Sequence, residues 1–329
     1  MAEMRGENRM KELYIASCCP DGGIYHCRLE DGRVEQLDFT PCDRPMYLAV
    51  SGRILYALLR EPFQGSSGLI KYEIRKDGSL KQADDVVSTH GKCACHLAVE
   101  GDDIYCVNYL SGNVVLLPDQ IAAHTGKGVH PKRQEAPHTH FVCVTPDKNY
   151  VLVTDLGTDR IVTYDRKLNW ISETKLPDGK GPRHLAFSED GTIVFCVNEL
   201  SSDVSVLNYR DGKLSLCKTF PALPADFCGE STAAAIRVYE GRVYVSNRGH
   251  DSITCFDICG KELVFQQCVP CGGQSPRDFD IIGGQIICTN ENSDNVTLFE
   301  LNPLRQCGNE IKIKAPLCVT ERKDGNETI

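Results

Sequence analysis

An all-β fold, a seven-bladed β-propeller of four-stranded antiparallel blades, is predicted by three observations. Short apolar runs rich in β-branched and aromatic residues recur along the chain, separated by Gly- and Asp-containing turns. The strand–turn–strand pattern repeats six times with a period of roughly 42–50 residues, the spacing of propeller blades. The two ends look like the halves of a seventh copy, so one domain spans residues 1–329.

The N-terminal segment "ELYIASCCPDGGIYHCRLEDGRVEQL" has strand–turn–strand character but lacks a first strand. "IKIKAPLCVT", near the C-terminus, is expected to supply it, with Ile311–Val319 pairing onto the N-terminal strands. Such closure leaves no open sheet edge in the ring. The complete copies begin with "RPMYLAVSGRILYALL" near Arg44 and "ACHLAVEGDDIYCVNYLSGNVVLL" at Ala94. "PHTHFVCVTPDKNYVLVTDLGTDRIVTY" begins at Pro137 and "GPRHLAFSEDGTIVFCVNELSSDVSVLNY" at Gly181. "STAAAIRVYEGRVYVSNRGHDSITCFDI" follows from Ser231 and "SPRDFDIIGGQIICTNENSDNVTLFEL" from Ser275. Ser231–Ile236 has some helical character, but its register with the other copies makes it a strand. The single tryptophan, Trp170, is not followed by Asp, so the repeats are not of the WD type. The ordered part is expected over about residues 10–320, with short polar, disordered tails.

Composition excludes several functions. No apolar run is long enough to span a bilayer, and "MAEMRGENRMKELY" lacks the apolar core of a signal peptide. A net charge of −9 with no Lys/Arg block argues against nucleic-acid binding. The expectation is a soluble cytoplasmic protein, monomeric or weakly self-associating, without membrane contact. The 18 cysteines then read as reduced thiols. Cys106, Cys143, Cys196, Cys255 and Cys288 sit in strand interiors as small hydrophobes. Cys268/Cys271 and Cys93/Cys95 are single pairs, short of the two pairs a structural zinc usually takes. Asn326-Glu327-Thr328 fits a glycosylation sequon by chance.

In a hairpin, the start of the first strand and the end of the second share one edge. First-strand starts carry Met46, Cys95-His96, His138-Thr139-His140, Arg183-His184, Ala233 and Arg277. Second-strand ends carry Arg60-Glu61, Asn108-Tyr109, Asp155, Asn198-Glu199, Asn247-Arg248 and Asn290-Glu291. In a propeller these ends ring one mouth of the central channel, so Arg183 and Glu199 become neighbours. Arginines gathered at the axis of an acidic protein suit a small anion.

"GPRHLAFSEDGTIVFCVNEL", "PHTHFVCVTPDKNYVLVTDLGTDRI", "YVSNRGHDSI" and "SPRDFDIIGGQIICTNENSDNV" together resemble the bacterial 6-phosphogluconolactonase family of seven-bladed propellers. That family also includes the fungal carboxymuconate lactonizing enzyme. The resemblance runs from about Leu13 to Val319. It implies hydrolysis of 6-phosphoglucono-δ-lactone to 6-phosphogluconate, in the pentose phosphate pathway, with no cofactor and no metal. It also implies site residues at His138 or His140 of "PHTH", Arg183, Glu199 and Arg248. The first complete copy departs from the family, ending its second strand in "LLRE".

Lactone opening needs an activated water, an oxyanion stabiliser and a proton for the leaving ring oxygen. Glu199 is the expected general base, with a "PHTH" histidine as base or acid. Arg183 and Arg248 are expected to hold the oxyanion or the phosphate. Arg277, His184, Asn198 and Asn247 complete the substrate-binding expectation. In a purely structural arrangement, Glu199 is the buried ion-pair partner of Arg183, and Arg277 pairs with Asp278. His184, His96 and His250 then bond neighbouring backbone, while Asp155, Asp159, Asp251 and Asp294 form turns. Three alternatives remain open: a carboxymuconate-type cycloisomerase, a non-catalytic propeller that binds a small anion or a protein, and a metal lactonase. The last would use Asn108, Asn198, Asn247 and Glu199.

Overall fold

Residues 182–221 show how one blade is built. Pro182–Phe187, Ile193–Asn198, Asp203–Arg210 and Lys213–Pro221 form an antiparallel meander. The Asp190 carboxylate accepts the Thr192 amide at 3.0 Å and closes the first turn. Asp211 and Gly212 both take positive φ, 49° and 73°, the conformation of a tight two-residue hairpin. The inner strands are buried, whereas the outermost strand is exposed along most of its length, with Leu214 buried.

The computed structural model describes residues 10–323. Seven such sheets form the ring. Blade 1 joins Lys11–Ser17, Gly23–Glu30 and Arg33–Pro41 to Pro316–Glu321. Blades 2 to 7 follow at 45–88, 94–123, 139–175, 182–221, 232–270 and 276–312. Each inner strand lines the axis, and seven apolar clusters fill the seven seams between blades. Between blades 5 and 6, for example, Phe195, Val197 and Val206 meet Ala233, Val245 and Phe256. Truncating a fully buried ring such as Phe195 to alanine costs about 3–5 kcal/mol.

Ser231–Ile236 falls on a strand, Thr232–Tyr239, as its register requires. Closure by both ends is present but narrower than expected. Ile311 and Lys312 end the outer strand of blade 7, opposite Val296 and Asn295. Ala315 then turns the chain with φ 43°, and Pro316–Glu321 alone pairs with the N-terminal strand. Blade 2 departs from four strands: its outer edge is split into Leu80–Gln82 and Val87–Ser88, both paired to Ser66–Ile74. The expected tails and the Asn326-Glu327-Thr328 sequon lie outside the described residues.

All 18 cysteines are free thiols, and burial pushes the thiols of Cys106 and Cys196 well above the usual range. No helix among the described residues is long and apolar enough to cross a membrane.

Candidate active site

Each blade carries a β-bulge at the same place, between its innermost strand and the next. In blade 5, Pro182 faces Asn198 and His184 faces Val197, so Arg183 has no partner across the ladder. The same slip leaves out Met46, Cys95, His140, Arg277 and Leu317 in blades 2, 3, 4, 7 and 1. Blade 6 leaves out two residues, Ala234 and Ala235. A bulge bends the strand and re-aims the unpaired side chain. The six larger bulge residues all line one cavity on the axis, of about 10 Å³, roughly one water in size. The two alanines make room for Arg183, whose Nη1 crosses to the Ala234 carbonyl at 2.7 Å.

The Glu199 carboxylate is the centre of charge. Its Oε2 accepts Arg183 Nε at 3.0 Å and lies 2.9 Å from Arg248 Nη2. Its Oε1 accepts Arg133 Nη2, which is also 3.4 Å from the Tyr109 hydroxyl. Burial alone would raise the Glu199 pKa, but the charges of Arg248, Arg183 and Arg133 outweigh it and hold the group well below the usual carboxylate range. Burial and the Arg248 charge press Arg183 down to about 9, opposed by Glu199, so both partners stay ionised at neutral pH. Breaking a buried pair on one side leaves an uncompensated charge and costs about 3–5 kcal/mol.

The "PHTH" histidines separate. His138 precedes the strand, directs Nδ1 to the Tyr109 carbonyl at 3.0 Å and stacks on the Tyr109 ring at 4.4 Å. Its other nitrogen faces Glu135 at 3.4 Å. His140 occupies the bulge and enters the axial cavity with Arg183 and Arg277, its Nδ1 buried without a hydrogen-bond partner. Burial, then the Arg183 charge, hold His140 well below the usual imidazole range, so it is neutral at pH 7.

His184 accepts from Arg183 Nη1 at 3.1 Å through Nε2, because a guanidinium only donates. Its ring lines the same axial cavity and packs with those of His96 and Phe141. Arg277 pairs with Glu291 at 3.3 Å, not with Asp278, which is held by Arg237 at 3.1 Å. Asn198 and Asn247 are not brought to the cluster. Asn198 donates to Asp203 and Ser205, and Asn247 to Ser252 and Thr254, all within their own blades. The Asn108 amide is likewise spent on Thr89 and Asn113.

Beside Arg248 an open groove of about 410 Å³ runs between blades 6 and 7, past Ser231, Thr232 and Asn292. Arg248 therefore bridges groove and carboxylate, and its buried Nε has no partner. Arg133 was not among the expected residues. It lies in the connection 124–138, outside every repeat; the basic pair "KR" just before "PHTH" was its only signal. That connection passes so close to Gly157 that a Cβ there would meet the Ala136 carbonyl at 1.9 Å.

Comparison with known proteins agrees with this geometry. Residues 12–321 match the family model described as lactonase, 7-bladed beta-propeller. An uncharacterized protein of Staphylococcus epidermidis is 34% identical over 305 residues, covering 84% of this chain and 88% of its own. A Lactobacillus plantarum protein structure is similar with a TM-score of 0.87 at 26% identity, covering 96% of this chain and all of its own. A candidate 6-phosphogluconolactonase of Bacteroides fragilis (TM-score 0.86, 24% identity, 98% and 100% covered) shares the fold. So does the periplasmic gluconolactonase of Pseudomonas aeruginosa (TM-score 0.86, 23% identity, 95% and 99% covered). With the family model spanning nearly every described residue, the chain belongs to the lactonase family of seven-bladed β-propellers.

Proposed function

We propose that this protein hydrolyses a small anionic sugar lactone, and that 6-phosphoglucono-δ-lactone, opened to 6-phosphogluconate in the pentose phosphate pathway, is the substrate the site suits best. The observation that carries this reading is the set of three guanidiniums on one buried carboxylate, next to a neutral histidine and an open groove. The arginines supply charge-assisted donors for the substrate anion.

Glu199 is a poor general base in this arrangement, since both its oxygens are taken by cations. We assign that role to His140, whose Nδ1 is free and whose cavity matches one water. In the first step the water oxygen bonds to the lactone carbonyl carbon while His140 accepts the water proton. Arg183 holds the oxyanion that develops. In the second step the carbon–ring-oxygen bond breaks and the His140 imidazolium returns the proton to the leaving oxygen. Glu199 keeps the arginines in place, and its charge favours the imidazolium.

The test is proton release from 6-phosphoglucono-δ-lactone at neutral pH, with spontaneous hydrolysis subtracted. Enzyme-dependent acceleration is expected; none at micromolar protein would overturn the reading. A parallel assay with a carboxymuconolactone separates the cycloisomerase alternative.

A further inference from the structure

Arg133 is held by a rigid support yet presents a movable head. Its neighbour Gln134 is fully buried and donates Nε2 to the Leu156 carbonyl at 2.9 Å and to Asp159 at 2.8 Å. Gly128 and Gln134 close the segment with backbone bonds of 2.9 Å, and the Arg133 amide donates to His130 Nδ1 at 3.2 Å. The backbone of Arg133 is therefore fixed. Its side chain is 37% exposed, against 3% for Arg183 and 15% for Arg248. Arg183 and Arg248 also donate to the Ala234 and Ala233 carbonyls, at 2.7 and 3.4 Å. Of the three cations on Glu199, Arg133 is the most exposed, and beyond the carboxylate it reaches the Tyr109 hydroxyl at 3.4 Å rather than a backbone carbonyl.

We propose that Arg133 is the exchangeable arm of the site: the phosphate of the substrate draws its guanidinium from Glu199, so Arg133 selects phosphorylated over neutral lactones and binding itself unmasks Glu199 Oε1. This rests on the lactonase reading. A phosphate offers the guanidinium a bidentate, charge-assisted match, which the single Nη2 contact to Glu199 does not. Glu199 keeps two guanidiniums and remains ionised after the exchange. Its unmasked charge then acts on His140, where burial and Arg183 oppose the cation and Glu199 favours it. Substrate binding thus readies the base in the same movement.

The experiment is calorimetric titration of the full-length protein with 6-phosphogluconate and with gluconate. Wild type is compared with R133Q, R133K and R160Q, the last altering an outer-rim Arg160 that pairs with Glu173 at 3.3 Å. Wild type should prefer 6-phosphogluconate. R133Q should cut that preference at least tenfold, R133K less, and R160Q not at all. R133K keeps the charge and so guards against a folding defect in R133Q. An unchanged preference in R133Q, or none in wild type, overturns the proposal. Steady-state rates on both lactones separate the two ideas. An Arg133-dependent preference without turnover of either lactone sinks hydrolysis and leaves the arm standing. Normal turnover with an Arg133-independent preference does the reverse.

Discussion

Arg183 and Glu199 stand sixteen residues apart in the chain, and their Nε and Oε2 atoms lie 3.0 Å apart. The hairpin brings the two strand ends to one edge, and the bulge at Arg183 turns its side chain from the ladder to the axis. Neither device alone makes the contact. The carboxylate then gathers two further guanidiniums from other elements, Arg133 and Arg248.

Replacing Glu199 with glutamine leaves those three cations without their shared anion. Stability should fall by about 3–5 kcal/mol, the cost of breaking a buried pair on one side. Affinity for 6-phosphogluconate should rise, since a negative charge has gone. Turnover should drop on the order of 10²-fold as the arginines lose their positions. Denaturant titration, calorimetry and rates read the three effects. An E199Q protein with unaltered midpoint and rate would refute the keystone role.

His140→Gln tests the proton path. Turnover should fall by roughly 10²- to 10⁴-fold, the usual contribution of a general acid–base group. Product affinity should stay within a few fold. His138→Gln, whose ring nitrogens point to Tyr109 and Glu135, should lose far less. Comparable losses in both variants would argue against assigning the base to His140.

Acid should destabilise the fold from an early point. His96, His140 and His184 are buried and held well below the ordinary imidazole range, first by desolvation and then by neighbouring positive charge, including Arg237 and Arg183. Between those lowered values and about pH 6.5 the unfolded chain binds more protons than the folded one. Their contribution is therefore complete above about pH 6.5 and is lost as pH falls below it. Each histidine costs about 1.4 kcal/mol per pH unit in that window, and three cost about 4. Urea midpoints measured at pH 7.5, 6.0 and 5.0 should decline accordingly, with a shallower slope in His96→Phe. A flat midpoint across that range contradicts the prediction.

A chain stopped after residue 315 should lose cooperative folding. It removes Pro316–Glu321, the innermost strand of blade 1, and with it Leu317, Cys318 and Val319 from three apolar seams. Calorimetric melting is the readout. A sharp transition near that of the intact chain would show the closing strand to be dispensable.

The ring and its rough site were legible because period and strand-end chemistry survive in a linear string. Six copies at even spacing place Arg183, Glu199, Arg248 and Arg277 on one face without any knowledge of distance. The bulges were not legible, since skipping one residue leaves the alternation of apolar positions nearly intact. For that reason "PHTH" gave two candidates, of which only His140 occupies the bulge. Arg133 escaped because its connection has no counterpart in the other copies. Asn198 and Asn247 sit at the expected strand ends, but their short side chains donate to acceptors within the blade before they can reach the axis.

Because blade 1 is woven from both ends of the chain, the one covalent gap in the ring lies inside a sheet. There Lys11 meets Glu321 at 2.7 Å, and the Arg322 amide donates to the Glu12 carbonyl at 2.8 Å. The first and last described strands, Lys11–Ser17 and Pro316–Glu321, are thus adjacent. A circular permutant opened instead at the solvent-exposed turn Gly52–Arg53, between Pro45–Ser51 and Ile54–Phe63, would keep every strand pairing of the seven sheets while moving the gap into the sheet of blade 2. The order of the blades along the gene is in that sense arbitrary, whereas their order around the axis is not.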